Sequence, residues 1–249
     1  GQQPLPEALD TGFLALCQQN LPEGAVRNPK KHFDVKLYSG NAATQSITGV
    51  GFSPNLVWVK GRNAGGTDNH IVDSVRGATK NIASNTTAAE TTESGVTSFD
   101  ASGFTLGSDG NYNGAGATFV SWLWKANGAA VSNTDGTITS QVSANQTAGF
   151  SIVTYTGTGA NATVGHGLGV APKMVIVKAR TGSGYSWITW HSAIAGTEFL
   201  YLDLTNAKAT DTTRWNSTVP SSSLVSVGTS IGTNENTRTY VAYCFTDVP

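Results

Sequence analysis

The feature that most constrains the fold of this chain is an internal duplication. The string FDVKLYSG from Phe33 returns as FSIVTYTG from Phe150, 117 residues later. The string FVSWLW, which ends at Trp124, returns as YVAYCF, which ends at Phe245, 121 residues later. GFSPNLVWVKGR and GVAPKMVIVKAR match in between. Because the offset drifts so slowly, the sequence predicts two copies of one folding unit. Features that recur should build the unit, and features of one copy are candidates for function.

Short alternating segments separated by Gly, Asn, Asp and Ser clusters predict β-strands in both copies. We therefore expect an all-β fold of two tandem antiparallel β-sandwich repeats, of jelly-roll or lectin-like type, with a short N-terminal arm. Val120, Trp122 and Trp124 share one face of a strand, and we expect Trp122 to be buried between layers. The predicted divisions are a docking arm at 1–32, a first repeat at 33–127, a connecting hairpin at 128–149 and a second repeat at 150–249.

The arm carries a short helical pattern. Leu9, Phe13, Leu16 and Cys17 fall close to one helical stripe, which ends near Pro22. The chain begins with Gly and stops directly after a strand-like run. We therefore expect it to be a piece of a longer polypeptide.

Composition argues against several function classes. Charged residues make up only 12% of the chain, against about 25% in an average soluble domain. With 15 Lys and Arg against 16 Asp and Glu, there is no basic excess for a nucleic-acid backbone. No apolar run approaches the roughly 18 residues of a membrane span. We therefore predict neither nucleic-acid binding nor membrane insertion.

The sequence offers no strong catalytic or metal-binding pattern. Asp109, Asn111 and Asn113 match the first half of a calcium loop, but Val120 stands where the bidentate Glu belongs, so we predict a turn. The four histidines form no HxxxH or HxH pattern. The two cysteines form neither a CxxC motif nor a disulfide framework. We predict no catalytic residue, no metal and no cofactor, and hence a protein that is not an enzyme.

Two further features are candidates for contact with a ligand or partner. Lys60 and Arg62 recur as Lys178 and Arg180 at the end of a strand, where long cationic stems commonly reach solvent. The second feature is an aromatic group in GYSWITWHS that the first copy lacks. Aromatic rings stack on sugars and anchor interfaces, although each ring alone could serve the core instead. The candidate contact residues of this group are Tyr185, Trp187 and Trp190.

Long strings of the chain resemble a family of bacteriophage tail-fibre and virion proteins, common in marine and cyanobacterial phages, in which such repeats often follow a SPRY-like domain. The strings include LDTGFLALCQQNLP, HFDVKLYSG, GFSPNLVWVKGR, NHIVDSVRG and NTDGTITSQVSANQTAGFSIVTYTGTG, and they span nearly the whole chain. The resemblance implies a non-enzymatic structural protein located in the virion, a tail fibre or tail-associated adhesin that contributes to host attachment. It also implies other virion proteins as partners, a homo-oligomer with a trimer as the usual form, and a host-surface glycan as a possible ligand. A capsid decoration or head-fibre protein, and a carbohydrate-binding lectin-like module, are the alternatives.

Overall fold

The computed structural model describes residues 26, 28–63 and 65–247, and most of its regular structure is antiparallel β-sheet. The prediction of an all-β fold is therefore confirmed. Most of the predicted arm at 1–32 lies outside the described residues. Its last part is a 3₁₀ turn at Pro29–Lys31, which leads directly into the first strand.

The first repeat consists of nine strands and one short helix within the described residues. Six of the strands form one large sheet, in the order β1-β9-β3-β4-β5-β6, and the other three form a small sheet, in the order β2-β8-β7. The elements are β1 (Phe33–Ser39), β2 (Gln45–Thr48), β3 (Leu56–Gly61), β4 (Asn69–Asp73), β5 (Lys80–Ala83), β6 (Thr91–Thr92), β7 (Val96–Asp100), β8 (Gly103–Leu106), α1 (Gly110–Asn113) and β9 (Thr118–Trp124).

The connecting segment and the second repeat form a larger sheet, in the order β10-β11-β12-β19-β14-β15-β16-β17, and a pair, β13-β18. Strands β10 and β11 form an antiparallel hairpin, and β11 pairs with β12, the first strand of the second repeat. The elements are β10 (Val131–Asn133), β11 (Ser140–Asn145), β12 (Phe150–Thr156), β13 (Ala162–Gly165), β14 (Met174–Ala179), β15 (Ile188–His191), β16 (Glu198–Tyr201), β17 (Ala209–Thr210), β18 (Leu224–Val227), α2 (Ile231–Asn234) and β19 (Thr239–Phe245).

The two repeats share the order and the register of their large sheets. The order β1-β9-β3-β4-β5-β6 corresponds strand by strand to β12-β19-β14-β15-β16-β17. Phe33 lies opposite Trp124 across the first pair, and Phe150 lies opposite Phe245 across the equivalent pair. The duplication in the sequence is thus a duplication of topology.

The sheets stack as four layers with three apolar cores between them. The small sheet of the first repeat packs on one face of its large sheet, and β13-β18 packs on one face of the other large sheet. The remaining faces of the two large sheets pack against each other. That middle core joins the repeats and includes Leu56, Ile71, Ile82, Phe150, Ile152, Ile176, Trp187, Val241 and Tyr243.

Trp122 lies on the face of β9 that is directed toward the second repeat, beside Trp58, with ring centroids 6.1 Å apart. The alternate residues Phe119 and Leu123 fill the core of the first repeat itself. Trp122 is only half-buried, because the second repeat covers part of this face and leaves its outer end open. The expectation that Trp122 is buried between layers is therefore corrected.

A buried asparagine at the end of each short helix fixes equivalent loops. The Nδ2 of Asn113 donates to the carbonyl oxygens of Gly107 and Ala43, and that of Asn234 donates to Gly228 and Ala160. Both side chains are fully buried, and their Oδ1 atoms accept from backbone N–H groups. Because unpaired buried carbonyls are costly, these two side chains hold the folding unit together at the same point.

Candidate functional site

Trp187 lies in the core between the repeats. Its ring is fully buried and stacks on that of Tyr243 at 6.4 Å between centroids. Its indole N–H donates to the backbone carbonyl of Ala83, in the first repeat, at 2.9 Å. This tryptophan is therefore an internal contact of the chain.

Trp190 and Tyr185 lie elsewhere. Trp190 is buried in the core of the second repeat, on the opposite face of the large sheet, and donates its indole N–H to the carbonyl of Ala195. Tyr185 is half-buried and lies under the guanidinium of Arg238, 4.1 Å from the ring centroid. The predicted contact group of Tyr185, Trp187 and Trp190 therefore does not form one exposed surface, because core packing takes both indole rings.

The recurring lysines Lys60 and Lys178 differ in burial. Lys178 is fully buried, and its ammonium donates to the carbonyl of Tyr185, whereas Lys60 is half-buried and donates to the carbonyl of Thr67. Burial lowers the pKa of Lys178 to about 8, and the nearby charge of Asp203 partly offsets this effect. The expectation that both lysines reach solvent is therefore wrong for Lys178.

Arg180 instead takes part in an ionic network across the repeat interface. Its guanidinium binds both carboxylate oxygens of Glu90, at 2.9 and 3.0 Å. Glu90 also accepts from Arg76, at 3.1 Å, and Arg76 donates to Asp73. Asp73 in turn accepts from the hydroxyl of Tyr243 at 2.7 Å, so the network crosses between the repeats at both ends.

Burial and charge act in opposite directions on this network. Burial disfavours the ionised form of Glu90, but the hydrogen bond from Arg180 and the charge of Arg76 outweigh it and lower the pKa of the carboxyl. Burial likewise disfavours the charge of Arg76, but Asp73 outweighs it and raises the pKa of the guanidinium. The side chains of Asp73 and Arg76 have no exposed surface. The network therefore serves to connect the two repeats, and its buried centre is not accessible to a ligand.

The half-matched calcium loop forms α1. Asp109 caps this helix by accepting from the backbone N–H of Asn111. The side-chain oxygen of Asn113 accepts from the backbone N–H of Asn41 and is directed into the fold. The side-chain oxygens of Asp109 and Asn113 therefore serve the protein's own backbone.

The best candidate site is a polar pocket in the first repeat. It lies at the β4–β5–β6 edge of the large sheet, on the face opposite the second repeat. Its volume is about 190 Å³, well above the roughly 10–15 Å³ that one water molecule needs. The lining residues are Gly66, Asp68, His70, Asn81, Ala83, Ala88, Ala89, Thr91, Glu93 and Asn111.

Hydrogen bonds fix the acidic side of this pocket. Glu93 accepts through Oε1 from the Asn81 amide at 3.1 Å and from the Thr91 hydroxyl at 2.7 Å. Its Oε2 accepts from the hydroxyl of Tyr112 at 3.1 Å. Three donors from two strands and one helix thus hold the carboxylate in one orientation.

His70 completes the floor of the pocket. Its ring is buried and packs against that of Tyr112 in a tilted arrangement, with centroids 4.3 Å apart. Its Nδ1 lies 3.2 Å from Oδ1 of Asn81 and 3.9 Å from Oε2 of Glu93. Because the Asn81 amide nitrogen already donates to Glu93, its oxygen is the acceptor, and the hydrogen-bond network assigns the proton to Nδ1 of His70.

Among the described residues, the second repeat has no counterpart of the His70–Asn81 pair. Strand register places Ile188 at the position of His70 and Phe199 at the position of Asn81. Both are buried in the apolar core of that repeat. Asp211 takes the position of Glu93, since its backbone N–H makes the equivalent bond, but it pairs with Arg214. The pocket is therefore a feature of one copy, although its frame is common to both.

No HxxxH or HxH pattern singles out His70, and no motif in the sequence points to Asn81 or Glu93. The signal was available, because polar residues in one copy stand where the other copy has Ile188 and Phe199. Recognising it required the strand register, which pairs β4 with β5 and β5 with β6.

A larger groove of about 500 Å³ runs beside the connecting hairpin. The lining residues are Asn127, Ala129, Val131, Asn133, Val142, Ser143, Ala144, Asn145, Gln146, Thr147 and Gly167. Its described lining carries amide and hydroxyl groups but no charged side chain. The smaller pocket is the stronger candidate because buried partners hold its carboxylate in place.

The described residues lack two further kinds of feature. No group of three or more His, Cys, Asp and Glu side chains within residues 26–247, gaps aside, is arranged to hold a metal ion. In the same part of the chain, no helix is long and apolar enough to cross a membrane.

Comparison with known proteins gives one family. Neither the curated proteins nor the solved structures include a match to this chain. A family model described as "Domain of unknown function (DUF7483)" matches residues 28–249, which covers both repeats and the connecting hairpin. The chain therefore belongs to the DUF7483 family.

Proposed function

We propose that this chain is a non-enzymatic structural protein of a bacteriophage virion, a tail fibre or tail-associated adhesin, and that the His70–Glu93 pocket is its attachment site. The resemblance of its long sequence strings supports the virion assignment. The observation that carries the attachment role is the oriented carboxylate of Glu93, in a pocket that the described part of the second repeat lacks.

The pocket favours a ligand that donates several hydrogen bonds. Asp68 and Glu93 supply carboxylate oxygens, and Asn111 adds an amide at the rim. The described lining contains no Lys or Arg, so an anionic ligand would find no countercharge there. The hydroxyl groups of a host-surface glycan match this set of acceptors.

A glycan array with the intact chain tests the attachment role. We expect binding of wild type and its loss in Asn81→Phe, which introduces the residue that the second repeat carries at this position. Glu93→Gln should weaken binding, because the amide removes one acceptor and places a donor toward Tyr112. Asp211→Asn changes the equivalent position of the second repeat and is the matched control.

Absence of glycan binding by wild type, or equal loss in Asp211→Asn, would remove the attachment site from the proposal. The virion assignment has a separate test, which is localisation of the chain on the particle by cryo-electron microscopy. Density in the tail supports a tail fibre or adhesin, and density on the head supports a capsid decoration or head-fibre protein. Light scattering of the purified protein tests the expected trimer.

A further inference from the structure

The first repeat has an uncovered apolar face. On β1, the exposed fractions of Phe33, Val35 and Leu37 rise along the strand, from 37% to 40% and 63%. Register places Trp122 opposite Val35 and Val120 opposite Leu37 on β9. We call Val35, Leu37, Val120 and Trp122 the open face.

The open face continues the interface between the repeats. Trp122 contacts Trp58, and Phe33 contacts Trp124, whose ring lies 6.3 Å from that of Phe150 in the second repeat. Apolar surface that extends outward from a buried interface is typical of a site that another segment covers.

In the second repeat the same positions are covered by the first repeat. Phe150 and Ile152, which correspond to Phe33 and Val35, are only 2% and 0% exposed. The edge of their strand is also covered, because β11 pairs with β12 along five residues. In the first repeat, β1 pairs only with β9 among the described residues.

The chain segment that precedes the second repeat lies along the edge of its first strand, whereas the first repeat covers the apolar face of that strand. In the second repeat, the preceding segment supplies β10 and β11, which lie beside β12. The segment that precedes β1 is the predicted arm, and the chain enters β1 from it through Pro29–Lys31. Because this connection tethers the arm next to the open face, we expect the arm of the same chain to be the occupant.

The length of the predicted helical stripe of the arm matches the length of the open face along β1. Residues 9–17, which contain the predicted helical stripe, would span about 12 Å at 1.5 Å per residue of helix. Residues 33–37 of β1 span about 13 Å at 3.3 Å per residue of strand. The predicted stripe of Leu9, Phe13 and Leu16 supplies one apolar side chain per turn over that length.

We propose that the open face is the docking site of the Leu9–Phe13–Leu16 stripe of the same chain. Docking removes the apolar side chains of both surfaces from water. This inference does not depend on the proposed virion function, because it concerns only how the chain covers its own first repeat.

Cys17 provides a direct test in the full chain. Cysteine is introduced singly at Val35, Leu37 or Val120, and the protein is oxidised under dilute conditions and digested without reduction. We expect a disulfide from Cys17 to at least one of these positions within one chain, since bridging requires Cα atoms about 4.4–6.8 Å apart. Burial raises the pKa of the Cys244 thiol to about 12, so it should not compete. Leu204→Cys, at an exposed site of the second repeat, is the control.

Two results would overturn the proposal. One is a bridge that joins two chains, which would assign the open face to the arm of a neighbouring copy. The other is a yield at all three positions no higher than that of Leu204→Cys.

Hydroxyl-radical footprinting gives a second measurement that needs no cross-link. Phe13→Ser should increase oxidation of Trp122 several-fold, whereas Gln18→Ser, a polar position of the same segment, should leave it unchanged. Equal oxidation of Trp122 in wild type and Phe13→Ser would show that the stripe does not cover this face.

Discussion

Trp187 in the second repeat donates its indole N–H to the carbonyl oxygen of Ala83 in the first, at 2.9 Å, inside the core that joins them. The carbonyl lies at the end of β5, so the hydrogen bond fixes the position of one large sheet on the other. Trp187 therefore contributes in two ways, through the packing of its fully buried ring and through its indole hydrogen bond. Different substitutions can remove these contributions separately.

Trp187→Ala should lower the free energy of unfolding by about 3–5 kcal/mol, the range for a large aromatic removed from a core. Trp187→Phe retains most of the apolar contact but leaves the Ala83 carbonyl unpaired, so it should cost less than the alanine change. Trp122→Ala, at a half-buried ring, is the comparison and should cost less than Trp187→Ala. Urea denaturation measures the free energy of unfolding of all three variants. Equal losses of stability in Trp122→Ala and Trp187→Ala would contradict the greater burial of Trp187.

Breaking the buried ionic network should cost much more stability than breaking an exposed ion pair. Glu90→Gln removes one partner of the fully buried Arg76 and the bidentate partner of Arg180. The loss of stability should lie near the lower end of the about 3–5 kcal/mol typical of a broken buried pair, since Glu90 retains some exposure. Glu198→Gln, which breaks the exposed pair with Lys208, should have little effect. Thermal unfolding in low and high salt distinguishes the two cases.

The same residue gives a pH dependence. The folded pKa of Glu90 lies below its ordinary value of 4.5, so the unfolded state binds the proton more readily. Its contribution to stability is therefore present above about pH 4.5 and is lost as the pH falls through the folded value. Wild type should lose more stability than Glu90→Gln over that acid range, and parallel pH profiles would contradict this assignment.

Asn113 and Asn234 should respond alike to substitution. Alanine at either position leaves carbonyl oxygens of two loop residues without their amide donor. Each unpaired buried group costs about 1–3 kcal/mol, so both variants should be strongly destabilised. Asn111→Ala, two residues from Asn113 and exposed, is the control. A large effect at only one of the two buried positions would mean that the buried asparagine does not stabilise both repeats in the same way.

Lys178 predicts a stability change in alkali. Its folded pKa of about 8 lies below the ordinary value of 10.5, so the unfolded state alone binds the proton between these values. Stability contributed at this site should therefore rise with pH from about 8 toward 10.5. At pH 7, Lys178→Met should unfold at a higher temperature than wild type, because the buried charge is gone. The difference should narrow by pH 9.5, and a constant difference would contradict the prediction.

The fold class and the duplication could be predicted because they rest on periodicity and on repeated strings such as those from Phe33 and Phe150. The placement of Trp187 and Trp190 could not. Both rings lie near one strand, but one joins the repeats and the other fills a core on the opposite face. Alternation shows that two residues face opposite sides, but not what covers each side.

The candidate pocket was hidden for a related reason. His70, Asn81 and Glu93 are far apart in the chain and become neighbours only through the pairing of β4, β5 and β6. Lys178 shows that a repeated string can also mislead. The string that Lys178 shares with Lys60 predicts the same strand position for both residues, but not the same burial. Equivalent positions in duplicated units share backbone geometry, whereas their surroundings differ.

The face-to-face packing of the two large sheets has a practical consequence for anyone who divides this chain. Cutting within the connecting segment would release halves that each display a broad apolar sheet surface, including Ile71 and Ile82 in one and Ile152 and Val241 in the other. Large exposed patches of this kind favour aggregation. Expression of a single repeat should therefore give insoluble material unless these positions are first made polar.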